Sequence, residues 1–230
     1  MSDGASAFDL LFSGDPALLA IVGLSLAVSL AATVLAAVVA LPLGAALALV
    51  RFPGRGALIV ILNALMGLPP VVVGLAAYLL LSRSGPLGFL GILFTPEAMV
   101  TAQAVLVLPI IAALTRQTIE DFWVEYRDEL TALRVSPARR VATLIWDARF
   151  SLFTAVLAGF GRAAAEVGTV MIVGGNIEGF TRVMTTAIAL ETSKGDLALA
   201  IGLGVVLLAL IVAVNAIAGG VRRLGEIHAG

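Results

Sequence analysis

The chain has 230 residues, 60% of them hydrophobic and 13% charged, with a mean hydropathy of +1.10 and a formal net charge of -1 at pH 7. Soluble domains carry roughly 25% charged residues, so water is excluded as the solvent for most of this chain, and the near-zero charge offers nothing to nucleic acid. The absence of cysteine excludes disulfides, thiol catalysis and thiolate metal sites.

The first segment, residues 1–17, reads as periplasmic or interfacial, with "FDLLF" (Phe8–Phe12) lying on the membrane surface. No basic residue precedes Arg51, and the apolar run that follows is longer than the core of a signal peptide, so it reads as a retained membrane helix. Charge-free runs then cover residues 16–50, 56–82, 98–115 and 197–221, or 35, 27, 18 and 25 residues. A helix needs about 20 residues to cross the hydrocarbon, and in lipid the backbone must bond within its own segment. A fifth candidate, residues 150–174, is interrupted only by Arg162 and Glu166. The expectation is an all-α integral membrane protein with five spans, or six given the length of the first run. The membrane domain covers residues 18–221, with a loop at 116–149 and a tail at 222–230 that holds the one histidine, His228.

Pro42-Leu43-Gly44, Gly67-Leu68-Pro69-Pro70 and Leu108-Pro109 are expected to interrupt their spans. Proline frees a carbonyl and kinks a helix, and broken helices can line transport routes. Kinks without a gating role are just as ordinary. The loop at residues 82–97 reads as holding a short interfacial helix. With the N-terminus outside, ten basic residues fall inside (Arg51 and Arg55, six from Arg116 to Arg149, then Arg222 and Arg223) and three outside (Arg83, Arg182, Lys194). The positive-inside rule therefore gives N-out, C-in.

The loop at 116–149 has helical signals of its own. Phe122, Tyr126, Leu130 and Leu133 recur at helical spacing, opposed by Asp121, Glu125, Asp128 and Glu129. Ser136 is placed as an N-cap and Pro137 as the first helical residue. A short cytoplasmic helix, a turn at Val135-Ser136-Pro137 and a returning helix are expected. Such a unit is either a solvated helical loop or a knob that docks into a soluble partner.

Further on, "GRAAAEVGTVMIVGGN" (161–176) puts Arg162 and Glu166 at i, i+4, on one face of a helix. A lone charge within the bilayer is expensive, so both should face the bundle interior or a polar cavity. The pair either fixes packing or borders the solute path. Gly159, Gly161, Ala163, Ala164, Ala165 and Gly168 would let neighbouring helices approach closely. Gly168, Gly174, Gly175, Asn176, Thr181, Arg182, Thr185 and Thr186 read as a gate or pathway, since backbone amides at glycines and helix starts attract anions. The competing reading is a connecting loop followed by an ordinary helix. No G-x-x-x-x-G-K-[ST] motif occurs, the one lysine being Lys194, and there is neither H-E-x-x-H nor G-x-S-x-G. ATP hydrolysis and metal chemistry are therefore not expected of this chain.

The 116–149 loop resembles the cytoplasmic coupling loop of type I ABC importer permeases. In that family the pattern is Glu-Ala-Ala, three residues, Gly and later Leu-Pro. Here Asp128-Glu129-Leu130 stands at Glu-Ala-Ala, and Leu133 and Ser136-Pro137 fit. Arg134 takes the glycine position, and Trp146-Asp147 stands for Leu-Pro. The resemblance implies that Asp128, Glu129, Leu130, Leu133, Arg134, Ser136, Pro137 and Arg139 couple to an ATPase. The 161–176 stretch is similar to the family's oxyanion branch, the molybdate, tungstate and sulfate permeases. "IEGFTRVMTTAIALETSKGD" (177–196) looks most like its tungstate members. "LSLAVSLAATVLAAVVALPLGAALAL" and "MGLPPVVVGLAAYLLL" resemble the first two core helices. The likeness runs from about Leu24 to Val221.

It implies a prokaryotic inner-membrane permease that pairs with a second copy of itself amid membrane lipid. It implies two ABC ATPase subunits carrying ATP-Mg, a periplasmic or lipid-anchored oxyanion-binding protein, and no cofactor on this chain. Tungstate is the expected solute. Molybdate or sulfate import, a proton-coupled transporter using Glu166, and a structural membrane anchor are the alternatives.

Overall fold

The computed structural model describes residues 16–229, with side chains to residue 220. The expectations for Phe8–Phe12, His228, Arg222 and Arg223 concern residues or side chains outside that description. The elements are α1 (Pro16–Leu49), α2 (Arg55–Met66), α3 (Pro70–Leu81), a 3-10 turn (Gly88–Leu90), α4 (Pro96–Ala132), α5 (Pro137–Asp147), α6 (Arg149–Ala164), α7 (Gly168–Gly174), α8 (Met184–Lys194) and α9 (Leu197–Ala229). Among the described residues there is no strand.

Three helices, α1, α4 and α9, are each long and apolar enough to cross a membrane. The bent pairs α2–α3 (101°) and α5–α6 (73°) bring the number to five if each counts as one span. The first apolar run is one unbroken helix of 34 residues, about 51 Å long, so it supplies a single span and no sixth.

The centre of the bundle is α1 against α4. Val28, Ala32, Ala36, Ala40 and Gly44 recur every fourth residue on α1, and all are buried. Between lipid-solvated helices no water is released to drive association, so close packing of small residues must supply it. At Gly44 a Cβ atom would lie 2.5 Å from the Ala112 carbonyl oxygen and 2.7 Å from Thr115 Cβ. The opposite face of α1, with Leu30, Val34, Val38 and Val39, is exposed and suits lipid. Gly159 plays the same part where α6 meets α4, its missing Cβ lying within 2.8 Å of Ile111 and Val107. Gly161, expected to do likewise, has nothing within 4 Å of its Cβ direction.

Several expectations are corrected. Pro42 and Pro109 sit inside continuous helices; each removes one amide, and the neighbouring hydrogen bonds carry the helix through. Only the Gly67–Pro70 run breaks its span. Gly67 caps α2 through its N–H to Ala64 O, and Pro70 opens α3 at the position where its missing N–H is not needed. No separate cytoplasmic helix follows the third span. The same helix, α4, runs 37 residues to Ala132. The 150–174 candidate is divided as well: α6 ends at Ala164, residues 165–167 leave the helix, and α7 starts at Gly168. The 82–97 loop holds only the three-residue 3-10 turn, and it is tied back by the Phe94 N–H to Val173 O at 2.9 Å.

Replacing Gly44 with alanine should cost about 1–3 kcal/mol through overpacking against α4 backbone. Gly23→Ala, on the same helix with nothing within 4 Å, should be neutral or slightly stabilising. Thermal unfolding of the two variants in detergent is the check.

Candidate functional site: a buried carboxylate and an exposed turn

Residues 165–167 leave the helical path, and their neighbours must then find partners for the freed backbone groups. Glu166, 3% exposed, sits at this break. One carboxylate oxygen accepts from Arg162 Nη1 at 2.6 Å, and the other accepts from the Thr169 amide at 2.9 Å. The carboxylate thus caps the start of α7 while holding the end of α6. Its own carbonyl accepts from the Thr185 hydroxyl at 2.7 Å, which ties in α8. Thr169 Oγ1 donates to Pro70 O at 2.7 Å, which ties in α3. Gln103 Nε2 on α4 donates to Ala163 O at 3.1 Å. Arg162 and Glu166 therefore pair as their spacing suggests, but across a helix break rather than along one helix face. The pair is unequal: the Arg162 side chain is 32% exposed.

The neighbouring hydroxyls serve the fold. Thr181 Oγ1 donates to Gly174 O at 2.6 Å and accepts from the Ile177 amide at 2.9 Å. Thr186 Oγ1 bridges the amide and carbonyl of Val183. The Met184 amide, at the start of α8, donates to Ser25 Oγ on α1 at 2.7 Å. The hydroxyl protons of Thr181, Thr185 and Thr186 are thus committed to carbonyls in this conformation.

Gly174 packs so closely that a Cβ would lie 2.8 Å from Met99 sulfur. Gly168 lies against Val71 of α3 in the same way, at 3.0 Å. Gly175 ends α7 at φ +72° and Asn176 follows at φ +50°, both in the left-handed region that glycine and asparagine tolerate. Arg182 pairs with Glu178 at 3.6 Å. A polar cavity no larger than one water molecule lies among Ser25, Ser29, Gln103, Glu166 and Thr185. Ser25, Thr169 and Gln103 escaped the sequence reading. The signal was available, since Gln103 is an amide side chain within an 18-residue charge-free run.

At its other end, α4 runs to an exposed tip. Leu133 is its C-cap, Arg134 has φ +50°, and Ser136 and Pro137 begin α5. The Val135 amide donates to Leu130 O at 3.1 Å and the Arg134 amide to Thr131 O at 3.0 Å. This pair of bonds is the Schellman termination, with its left-handed position filled by Arg134 rather than glycine. Its usual apolar contact is present too, since Leu130 and Val135 share one cluster with Ile119, Leu144 and Leu152. Ser136 has the extended backbone of an N-cap, but its side chain makes no capping bond. Arg140 Nε closes the turn on Val135 O at 2.8 Å.

Of the coupling candidates, Leu130 is buried, while Asp128, Glu129, Leu133, Arg134, Ser136, Pro137 and Arg139 are exposed. Leu133 departs from the expected apolar stripe: it is 74% exposed at the tip, while Phe122, Tyr126 and Leu130 face the bundle. Below the tip, Glu120 receives both Arg55 and Arg116, and Arg55 Nε donates to Leu47 O. That cluster pins the end of α1 to α4.

A helical bundle with three to five candidate membrane spans, a polar knot in its apolar interior and an exposed turn beyond it defines a multi-pass integral membrane protein. No family model matches the sequence. Individual relatives do. The chain is 42% identical over 205 residues, 87% of its length and 88% of the relative's, to a probable anion ABC transporter permease protein of Haloferax volcanii. It is 42% identical over 212 residues, 92% of its length and 93% of the relative's, to the tungstate uptake system permease protein TupB of Peptoclostridium acidaminophilum. It is 42% identical over 163 residues, 71% of its length and 68% of the relative's, to TupB of Campylobacter jejuni. The chain belongs to the family of ABC transporter permease subunits.

Two outcomes are expected. Glu166→Leu strands the Thr169 amide and the Arg162 guanidinium, and should cost about 3 kcal/mol, as does removal of one partner from a buried pair. Its thermal midpoint should fall below that of Glu166→Gln, which keeps one acceptor oxygen for one of the two donors. Arg134→Gly relieves the left-handed backbone and should stabilise the chain by about 0.5–1 kcal/mol, read in the same unfolding assay.

Proposed function

We propose that this chain forms the passage for tungstate in an ATP-driven importer of a prokaryotic inner membrane. What carries this reading is the likeness to two tungstate permeases across most of the chain, together with an exposed turn where an ATPase would dock. On this reading the N-terminus is outside and the C-terminus cytoplasmic, as the basic residues favour. ATP and magnesium belong to the ATPase subunit, and this chain carries no cofactor. A soluble or lipid-anchored binding protein delivers the oxyanion from outside.

The polar cavity beside Glu166 is water-sized, so the route lies outside it, at a seam between two copies of the chain within the lipid. Tungstate is a tetrahedral dianion that needs N–H and O–H donors but must not be held tightly. Arg162 suits this need. It is partly open to the seam, and its charge is offset by Glu166, so it offers donors with reduced attraction. Arg182 supplies one further cation near the outer end, and Gly168, Gly174, Gly175 and Asn176 shape the backbone beside it. Glu166 is spent on structural bonds and supports the route through Arg162.

Coupling follows from the length of α4. It is a single helix of about 55 Å, reaching from the outer loop to the turn at Leu133–Pro137. Movement of a docked ATPase at Leu133, Ser136 and Pro137 is carried into the bundle by α4 and, through the 73° bend at Ala148, by α6. The solute cannot set the direction of transport if it binds both states equally; the ATP cycle must bias them.

In vesicles containing the permease, its ATPase and its binding protein, ATP should drive uptake of labelled tungstate. Unlabelled tungstate should suppress it well before sulfate does. Leu133→Asp should abolish uptake and weaken co-purification of the ATPase about tenfold or more, as expected for an apolar interface anchor. Sulfate competing as well as tungstate would reassign the solute, and full activity of Leu133→Asp would remove the turn from coupling.

A further inference from the structure

Where α1 ends, a cavity of about 490 Å³ opens between that end, α4 and the first turn of α5. Its walls combine two kinds of group. Leu49, Val50, Trp123 and Val141 give it an apolar floor, while Arg51 and Arg140 give it two cations. The ion pairs among the described residues use neither arginine. Arg140 spends Nε on Val135 O, and its guanidinium carbon lies 5.6 Å from the centroid of Trp123. Its terminal amino groups form no hydrogen bond among the described residues.

The sequence bounds the level of the cavity. Arg51 is the first charge after the 35-residue apolar run of α1, and that run, at about 1.5 Å per residue, overruns a hydrocarbon core of about 30 Å, so its charged end lies among the headgroups or just beyond them. Tryptophan and arginine are both favoured at that depth. A cavity with an apolar half and two unpaired cations at this boundary matches one chemistry, a phosphodiester with an acyl chain attached.

We propose that this cavity binds an anionic phospholipid. Its phosphate lies between Arg51 and Arg140, and the start of its acyl chain runs along Leu49, Val50 and Val141. Inorganic phosphate shares the headgroup chemistry but leaves the apolar half unfilled. Because Pro137 and Ala138 also border the cavity, the lipid would buttress the turn that meets the ATPase. The inference needs only that the end of α1 meets the membrane boundary, so it stands apart from the identity of the transported ion.

The test is native mass spectrometry of the full chain, extracted from bilayers of mixed phosphatidylglycerol and phosphatidylcholine. The intact protein should retain phosphatidylglycerol in preference to phosphatidylcholine. Arg51→Gln, an exposed position, should lower that retention about fivefold, the worth of one basic residue near an anionic surface. Val141→Trp, which fills the apolar half and leaves both cations in place, should lower it too. Arg127→Gln, outside the cavity, should leave it unchanged. Equal retention of the two lipids, or equal retention by the protein and its Arg51→Gln variant, would overturn the proposal. So would displacement by millimolar inorganic phosphate, or release of the lipid when the ATPase subunit docks, which would make the cavity a seat for protein.

Discussion

The bundle turns on one carboxylate. Glu166 lies where the chain leaves α6 and has not yet entered α7, and it answers groups from both. Leaving a helix inside a membrane exposes amides and carbonyls that water cannot reach, each costly if unpaired. Here backbone bonds from the Ala165 and Glu166 amides to Gly161 O and Ala163 O are joined by side-chain bonds at and beside the break. Glu166 takes the Thr169 amide, Thr185 takes the Glu166 carbonyl, and Gln103 takes the Ala163 carbonyl. Four elements beyond α6 (α3, α4, α7 and α8) are thereby referred to one three-residue break. Arg162 makes the arrangement tolerable by neutralising a charge that burial alone would disfavour. A buried ion pair is weak grounds for stability in itself. Its worth here lies in permitting a break at this place and nowhere else along α6.

The same economy explains where small residues occur. Lipid offers no hydrophobic reward for bringing helices together, so α1 and α4 approach through Ala32, Ala36, Ala40 and Gly44 until backbone meets side chain. Such contact makes α4 a stiff member. A stiff member packed on α1 at one level, and tied at another through Glu120 to Arg55 and so to Leu47 O of α1, moves with α1 as a unit. The turn at Arg134 ends that member at an exposed tip.

How much of this was legible follows from which forces have a sequence signature. Apolar runs are visible, so the membrane class, the α1 and α4 spans and the α9 span could be read directly. The i, i+4 spacing of Arg162 and Glu166 found a true ion pair for an incomplete reason, because four residues is also a comfortable distance across a short unwound segment. The break itself had no local marker: Ala164, Ala165 and Val167 look as helical as their neighbours, and the long-range bonds that hold it, from Thr185 and Gln103, have no sequence signature. Pro42 and Pro109 misled in the other direction, since a proline inside a well-packed membrane helix removes a bond without ending the helix. The partners of Thr181, Thr185 and Thr186 lie up to 19 residues away. A threonine read alone offers a free hydroxyl, and only the fold shows it engaged.

Arg134 poses the sharpest local conflict. A left-handed residue at a helix terminus favours glycine, and a side chain there costs about 1 kcal/mol. Yet Arg134 follows the C-terminal end of a 37-residue helix whose last carbonyls point toward it. A cation at that end is favoured by the helix dipole, by roughly 0.3–1 kcal/mol where exposed. The dipole contact of an exposed, screened side chain offsets only part of the left-handed cost, so glycine remains the more stable residue here. What Arg134 adds is a fixed positive charge on the exposed tip, beside Leu133 and above the acidic pair Asp128 and Glu129. Apolar anchor, cation and carboxylates are then displayed together on one rigid turn. Under the proposed docking role, such a display would fix a partner's orientation more closely than a glycine could, because charge complementarity rejects misaligned encounters as well as favouring the aligned one.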